Sequence, residues 1–363
     1  MPSFNPSTHD DLIDISITLS QVSRGAASFT TVLVLVDNVT PGGGLYAEYA
    51  SASEVTADIS NLNTTCEAIA GIMFGQINPP EKILIGKVDL AGSQTAAAAL
   101  DLIVADGADF YGVTYANRTP ARQVALAAHI EDLADNGAFL LLGLQDDDSS
   151  WLDSGIPAAW SSVAGFERTV VYYHDDNDAD AVSDYLDCAH FADRLAWDPD
   201  EKSAGWNSTV SEVDALTTAV TQTQKGFLRA NYANVALPFG TRTSTFVDPG
   251  KTLAGRPVNH VVSVDWLRAR LNEGAADLIT AKSERGEKIT CDAQGQALLG
   301  NVIEGKLQTG VSVGHFLGYN LRAITINSAD IAAERCRFTI DLQLATGVRT
   351  VTIGIYAGTD PVA

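Results

Sequence analysis

Three carboxylates at alternate positions, Asp176, Asp178 and Asp180, have the spacing of the first ligands in a calcium-binding loop. Such a loop needs glycine next, for its sharp turn, and a bidentate glutamate at its twelfth position. Those places hold Ala181 and Asp187. A second run, Asp146-Asp147-Asp148, leads to Trp151 and not to glycine. Both runs fall where a strand ends and a helix begins, and carboxylates there cap free amides and suit the helix dipole. They are read as solvated caps. His174 with Asp175 ends a strand, the place from which an α/β enzyme presents a catalytic residue. No serine or cysteine nucleophile can be set beside it, and a surface histidine is expected. Cys188 and His190 are the one close pair of zinc-type ligands, but two residues apart in a helical stretch they do not face each other. The phosphate-loop, dinucleotide, nucleophile-elbow and zinc-protease motifs are absent, and Gly42-Gly43-Gly44 precedes no clear helix start. The expectation is no catalytic residue, no cofactor and no metal.

The elements that would position any such group are legible from periodicity. Ile13, Ile15, Ile17 and Leu19 alternate with Asp14, Ser16, Thr18 and Ser20, a strand with one buried face. Thr30–Val36 is apolar on both faces, and Asn38–Gly44 is a turn. Helices are predicted at Ala52–Ser60, Thr64–Gly75 and Ser93–Asp106, with a strand at Lys82–Lys87. Phe110–Tyr115, Thr119–Asn136 and Phe139–Gln145 then read as strand, helix and strand, a βαβ unit. Arg168–Tyr173 and Asp178–Leu195 continue the alternation. Further on, Ser211–Thr223, Lys225–Ala233, Val264–Glu273 and Gln294–Glu304 read as helices, and Leu237–Val247 is strand-like. The final sixty residues turn to β signals. Phe338, Ile340, Leu342 and Leu344 alternate with polar neighbours, as do Val351, Ile353 and Ile355. The fold class is α/β: mixed-sheet core domains with extended N- and C-terminal β-strand arms. The expected division is an arm over 1–25, an α/β domain over 26–200, a second over 201–345 and an arm over 346–363.

Composition narrows the function. At 363 residues with 46% hydrophobic content, the chain can bury real cores. Its formal charge of −22 opposes nucleic-acid binding, since nothing would neutralise phosphates. No apolar run is long enough for a bilayer, so membrane insertion is not expected, and the start carries no signal-peptide pattern. The chain reads as made in a cytoplasm, where Cys66, Cys188, Cys291 and Cys336 would be free thiols. Trp151, Trp160, Trp197, Trp206 and Trp266 are too dispersed for a sugar platform and are expected to anchor cores or subunit contacts.

Leu216-Thr217 through Thr223-Gln224, Asn231-Tyr232-Ala233-Asn234, Phe246-Val247-Asp248-Pro249-Gly250 and Val264-Asp265-Trp266-Leu267 follow one another in an order that resembles the sheath proteins of contractile-tailed phages. Thr290-Cys291-Asp292-Ala293-Gln294-Gly295 is similar too, with Cys291 an extra residue between threonine and aspartate. Upstream, Ile17-Thr18-Leu19 with Val22-Ser23-Arg24, Ala108-Asp109-Phe110-Tyr111-Gly112 and Glu167-Arg168 through Tyr173 fit the same family. The likeness spans about residues 12 to 320 and stops before the last strands.

That resemblance implies a virion subunit with no catalytic site, assembled in a host cytoplasm. Its partners would be copies of itself in stacked hexameric rings, a tail tube protein, and baseplate and tail terminator proteins. The arms would be Leu12–Val22 and Arg349–Tyr356, with Ile13, Ile15, Ile17, Leu19, Val351, Ile353 and Ile355 as their register-setting residues, adding strands to neighbouring sheets. Pairing of both segments within their own subunit stays open. So do two other readings: a hydrolase-like α/β enzyme, and another closed-ring virion protein such as a tail terminator.

Overall fold

The computed structural model describes residues 12–13, 28–135, 139–175, 185–213, 216, 218–238, 245–332 and 335–346. The chain opens with β1 (Leu12–Ile13), β2 (Val32–Asp37) and β3 (Tyr46–Tyr49). Two capped helices follow, α1 (Ala52–Ala57) and α2 (Thr64–Phe74), whose N-cap side chains Ser51 and Asn63 accept backbone N–H bonds. Strand and helix then alternate through β4 (Ile83–Val88), α3 (Ala96–Ala105), β5 (Gly112–Tyr115), α4 (Pro120–Asp135), β6 (Leu141–Asp146), β7 (Thr169–Tyr173) and α5 (Leu186–Leu195). The remainder holds β8 (Thr209–Val210), α6 (Gln222–Ala230), β9 (Val235–Pro238) and β10 (Thr245–Asp248). It closes with α7 (Val258–Glu284), α8 (Ala293–Ser312), β11 (Phe316–Ala323), α9 (Ser328–Ala332) and β12 (Phe338–Leu344).

The main sheet has the order β3-β4-β2-β5-β6-β7, parallel except for the edge strand β3. Both faces are covered, which is why β2 reads as an unbroken apolar run. Val32, Val34 and Val36 face one core with α2 and α5, while Leu33 and Leu35 face the other with α3 and α4. On the α5 side, Gly143 leaves the room that Phe191 fills, because a Cβ there would sit 2.6 Å from its ring. A second antiparallel sheet, β8-β10-β9, adjoins the first through a parallel bridge from Tyr172 to Asn234. The third sheet has the order β1-β12-β11, and α8 packs on β11. Among the described residues no helix is long and apolar enough to cross a membrane.

Three expectations need correction. The helix predicted over Ser211–Thr223 is not formed in its described part; helix begins only at Gln222, with Thr221 as its N-cap. Thr218, Val220 and Thr221 are β-branched, and the reciprocal capping box of Thr221 and Gln224 fixes the start there. The single strand read over Leu237–Val247 is a pair, β9 and β10, joined antiparallel with Leu237 opposite Phe246. The short helix at Val264–Glu273 is part of a 27-residue helix, because small buried side chains such as Ala275 and Ala276 extend its packed face.

Candidate assembly site

In a sheet of this order the chain leaves β2 first toward β4 and then returns to β5 on the other side. A crevice opens at that reversal, outside the carboxyl ends of β2 and β5, where doubly wound enzymes place their ligands. Here it is a cleft of about 360 Å³ lined by Asp37, Asn63, Thr65, Asn117, Arg118 and Thr119, among others. Asp37 and Arg118, which give it charge, each already have partners. Asp37 accepts from the Tyr115 hydroxyl at 2.9 Å and from Asn117 Nδ2 at 2.5 Å. Arg118 donates two bonds, of 2.7 and 2.8 Å, to the fully buried Asp187. Burial works against the Arg118 charge, and the Asp187 carboxylate outweighs it, raising its pKa. Among the described residues no histidine or cysteine lines the cleft.

The other chemistry-bearing residues are structural. His174 is not on the surface: just past the end of β7 it is 1% exposed, covered by tertiary packing. Asp146 is likewise not solvated. It is buried at the end of β6 and accepts the indole N–H groups of Trp151 at 2.8 Å and Trp160 at 2.7 Å. Burial raises its pKa against the pull of those two donors. Asp148 does cap, accepting from Ser150 N at 2.8 Å. Asp176, Asp178 and Asp180 lie outside the described residues. Among those described, no group of three or more histidine, cysteine, aspartate or glutamate residues could hold a metal. Cys188 and His190 do not converge: Cys188 Sγ donates to Thr114 Oγ1, whereas His190 lies between Tyr172 and Ser208.

The motifs scattered along the sequence come together in space. Arg168, just ahead of β7, forks onto Asp265 of α7, and the Tyr111 hydroxyl donates to the same carboxylate at 2.8 Å. Burial, then the Asp265 charge, pushes the Tyr111 pKa well above its ordinary value, so the hydroxyl stays a donor. Trp266, the next residue, donates to Asp200 at 2.7 Å and stacks on His315. Asn234 Nδ2 donates to the Val171 and Lys251 carbonyls, tying the second sheet to β7. Asp292 caps α8 by accepting from Gln294 N and Gly295 N. Gly295 must be glycine, since a Cβ there would fall 1.8 Å from the Thr290 carbonyl oxygen. These residues hold elements together.

The third sheet carries Ile13, the one expected register-setting residue among the described residues. β1 pairs antiparallel with β12, with Leu12 opposite Asp341 and Ile13 opposite Ile340. Ile15, Ile17, Leu19, Val351, Ile353 and Ile355 lie outside the described residues. β12 pairs along its other side with β11, whose Leu317 stands 65% exposed. β11 has no prediction of its own, although Tyr319 and Leu321 alternating with Asn320 and Arg322 were a usable period-two signal. The same sheet is braced by Asp330 of α9, whose carboxylate accepts from Arg335 and Arg337 at 2.9 Å each.

No protein-family profile matches the chain, and no curated protein does either. Solved structures do. A chain in the cryo-EM structure of the anti-feeding prophage (AFP) baseplate covers 99% of this chain and 99% of its own length, at 13% identity and a TM-score of 0.68. The AFP helical sheath in its contracted state matches over 98% and 99%, at 13% identity and a TM-score of 0.65. This chain has the sheath fold. The sheath tail protein of Listeria innocua shares it over 90% of this chain and 97% of its own, at 10% identity and a TM-score of 0.57. The shared fold thus extends over nearly all of this chain's length.

Proposed function

We propose that this chain is the structural subunit of a contractile tail sheath, in a virion or a related particle. The observation that carries the reading is the end-to-end correspondence with the AFP helical sheath, 98% of this chain and 99% of that one. Copies would stack as hexameric rings around a tail tube protein, between a baseplate and a tail terminator, after assembly in a host cytoplasm. The work is mechanical, and no catalytic step enters it. The buried Arg118–Asp187 pair beside the strand-end cleft favours this over the hydrolase-like alternative, because Arg118, which lines the cleft, is already neutralised.

The terminal sheet supplies the linkage. A two-residue strand such as β1 is a small hold, and the register Ile13 with Ile340 can be made equally by a neighbour's strand. In the lattice, the segment bearing Ile13, Ile15, Ile17 and Leu19 would reach one neighbouring copy, and that bearing Val351, Ile353 and Ile355 another. Backbone hydrogen bonds would hold and alternate side chains would fix register. Such contacts do not close, so they propagate as a helical tube. The division into 1–25, 26–200, 201–345 and 346–363 would then separate arms that exchange from domains that rotate.

Removing residues 1–22 tests the arm. The shortened chain is expected to keep its circular-dichroism spectrum and to sediment as a monomer while the full chain forms large particles. Equal assembly by both would refute the role of the N-terminal segment.

A further inference from the structure

Cys291 belongs to the turn that caps α8, and Cys336 lies two residues ahead of β12, far away in sequence. The fold brings them together. Cys291 Sγ donates to the carbonyl oxygen of Arg335, the residue before Cys336, at 3.2 Å, and to that of Asp330 at 3.7 Å. The two thiols also interact, and after burial that interaction raises the Cys336 pKa. Both residues are partly exposed, whereas Cys66 and Cys188 are buried. A small oxidant therefore reaches this pair and not the other two thiols.

We infer that Cys291 and Cys336 are a reversible redox site, closing to a disulfide that staples the start of α8 to the strand carrying β1. Cys291 Sγ is held on the carbonyls of Asp330 and Arg335, and Arg335 and Arg337 in turn grip the Asp330 carboxylate. Attack by Cys291 first and Cys336 second is one order of exchange, and the reverse order gives the same product. With a small-molecule disulfide such as oxidised glutathione, the Cys291 thiolate displaces one glutathione thiol and forms a mixed disulfide. The Cys336 sulfur, giving its proton to water, then displaces the second. Two protein thiols and one disulfide become one protein disulfide and two glutathione thiols, so the two electrons lost by the chain are gained by glutathione.

The site does not rest on the sheath reading, but its use does. A particle built in a reducing cytoplasm and released into an oxidising medium would gain a covalent brace in the sheet where subunits are linked. Crosslinking also removes loop entropy from the unfolded chain, so the oxidised form should melt at a higher temperature than the reduced one.

The test uses the full chain, purified reduced and then incubated natively with oxidised glutathione. After alkylation and digestion with trypsin without reductant, residues 289–306 and the dipeptide 336–337 are expected as one joined peptide. Free thiols should fall from four to two, and dithiothreitol should restore them. Cys291→Ser and Cys336→Ser should each abolish the joined peptide; if either fails to fold, the map of the parent chain alone decides. A glutathione adduct that persists on one cysteine without passing to the other would overturn the inference. So would a native chain left unreacted under conditions that oxidise the unfolded one. Neither readout requires particles, so failure to assemble leaves this result standing.

Discussion

Arg168 Nη2 lies 2.8 Å from Asp265 Oδ1, and a second prong closes the pair, joining the main sheet to the long helix α7. Both side chains are buried, with Asp265 fully so. Tyr111 completes the carboxylate's shell from the loop before β5. Three motifs that lie far apart in the sequence thus meet at one carboxylate, whose role is to fix the second half of the chain on the first.

Asp265→Ala leaves the Arg168 guanidinium buried and unpaired, which should cost about 3–5 kcal/mol, read as a lower urea midpoint. The double replacement Arg168→Met with Asp265→Leu removes both charges and is expected to recover most of that loss. A single variant within about 0.5 kcal/mol of the parent would show the pair to be dispensable.

His190 is fully buried between the Tyr172 hydroxyl at 2.7 Å and Ser208 at 3.1 Å, and burial, then Arg194, drives its pKa well below 6.5. The unfolded chain takes up that proton near pH 6.5 and the folded chain does not, so stability present above that pH is lost on acidification. Denaturant midpoints should fall steadily from pH 7 to pH 5. His190→Asn should flatten the slope without abolishing it, because burial also lowers His315. An unchanged slope would place the proton uptake elsewhere.

Asp330 behaves oppositely in sign of charge, with its pKa held down to about 2, chiefly by Arg337. Its contribution is complete above the ordinary value of 3.8 and disappears as pH falls through about 2. Amide exchange in β11 and β12 should accelerate across that window. At pH 7, Asp330→Asn should produce the same acceleration; protection equal to the parent's would contradict the brace.

Gly295→Ala drives a Cβ against the Thr290 carbonyl and opens the turn that Asp292 caps. A cost of about 1–3 kcal/mol is expected, with early melting of α8 by circular dichroism. Neutrality would mean that the turn relaxes freely.

The main sheet was legible because its parallel strands are buried on both faces and several of its helices open on a side-chain cap. Val32–Asp37 and Leu141–Asp146 show this, with helix starts at Ser51, Asn63 and Thr95. The environment of single polar residues was not legible. His174 and Asp146 look like surface groups by type, and only the tertiary cover, Trp151 and Trp160 for Asp146, decides otherwise. The length of α7 escaped notice because small side chains carry no strong period. The pairing of Cys291 with Cys336 arises wholly from the return of β12 beside the start of α8.

Negative-stain electron microscopy of the concentrated full-length chain addresses the sheath assignment most directly. Tubes or stacked six-fold rings are predicted. Monodisperse monomers that persist at high salt, and with tube protein added, would contradict it.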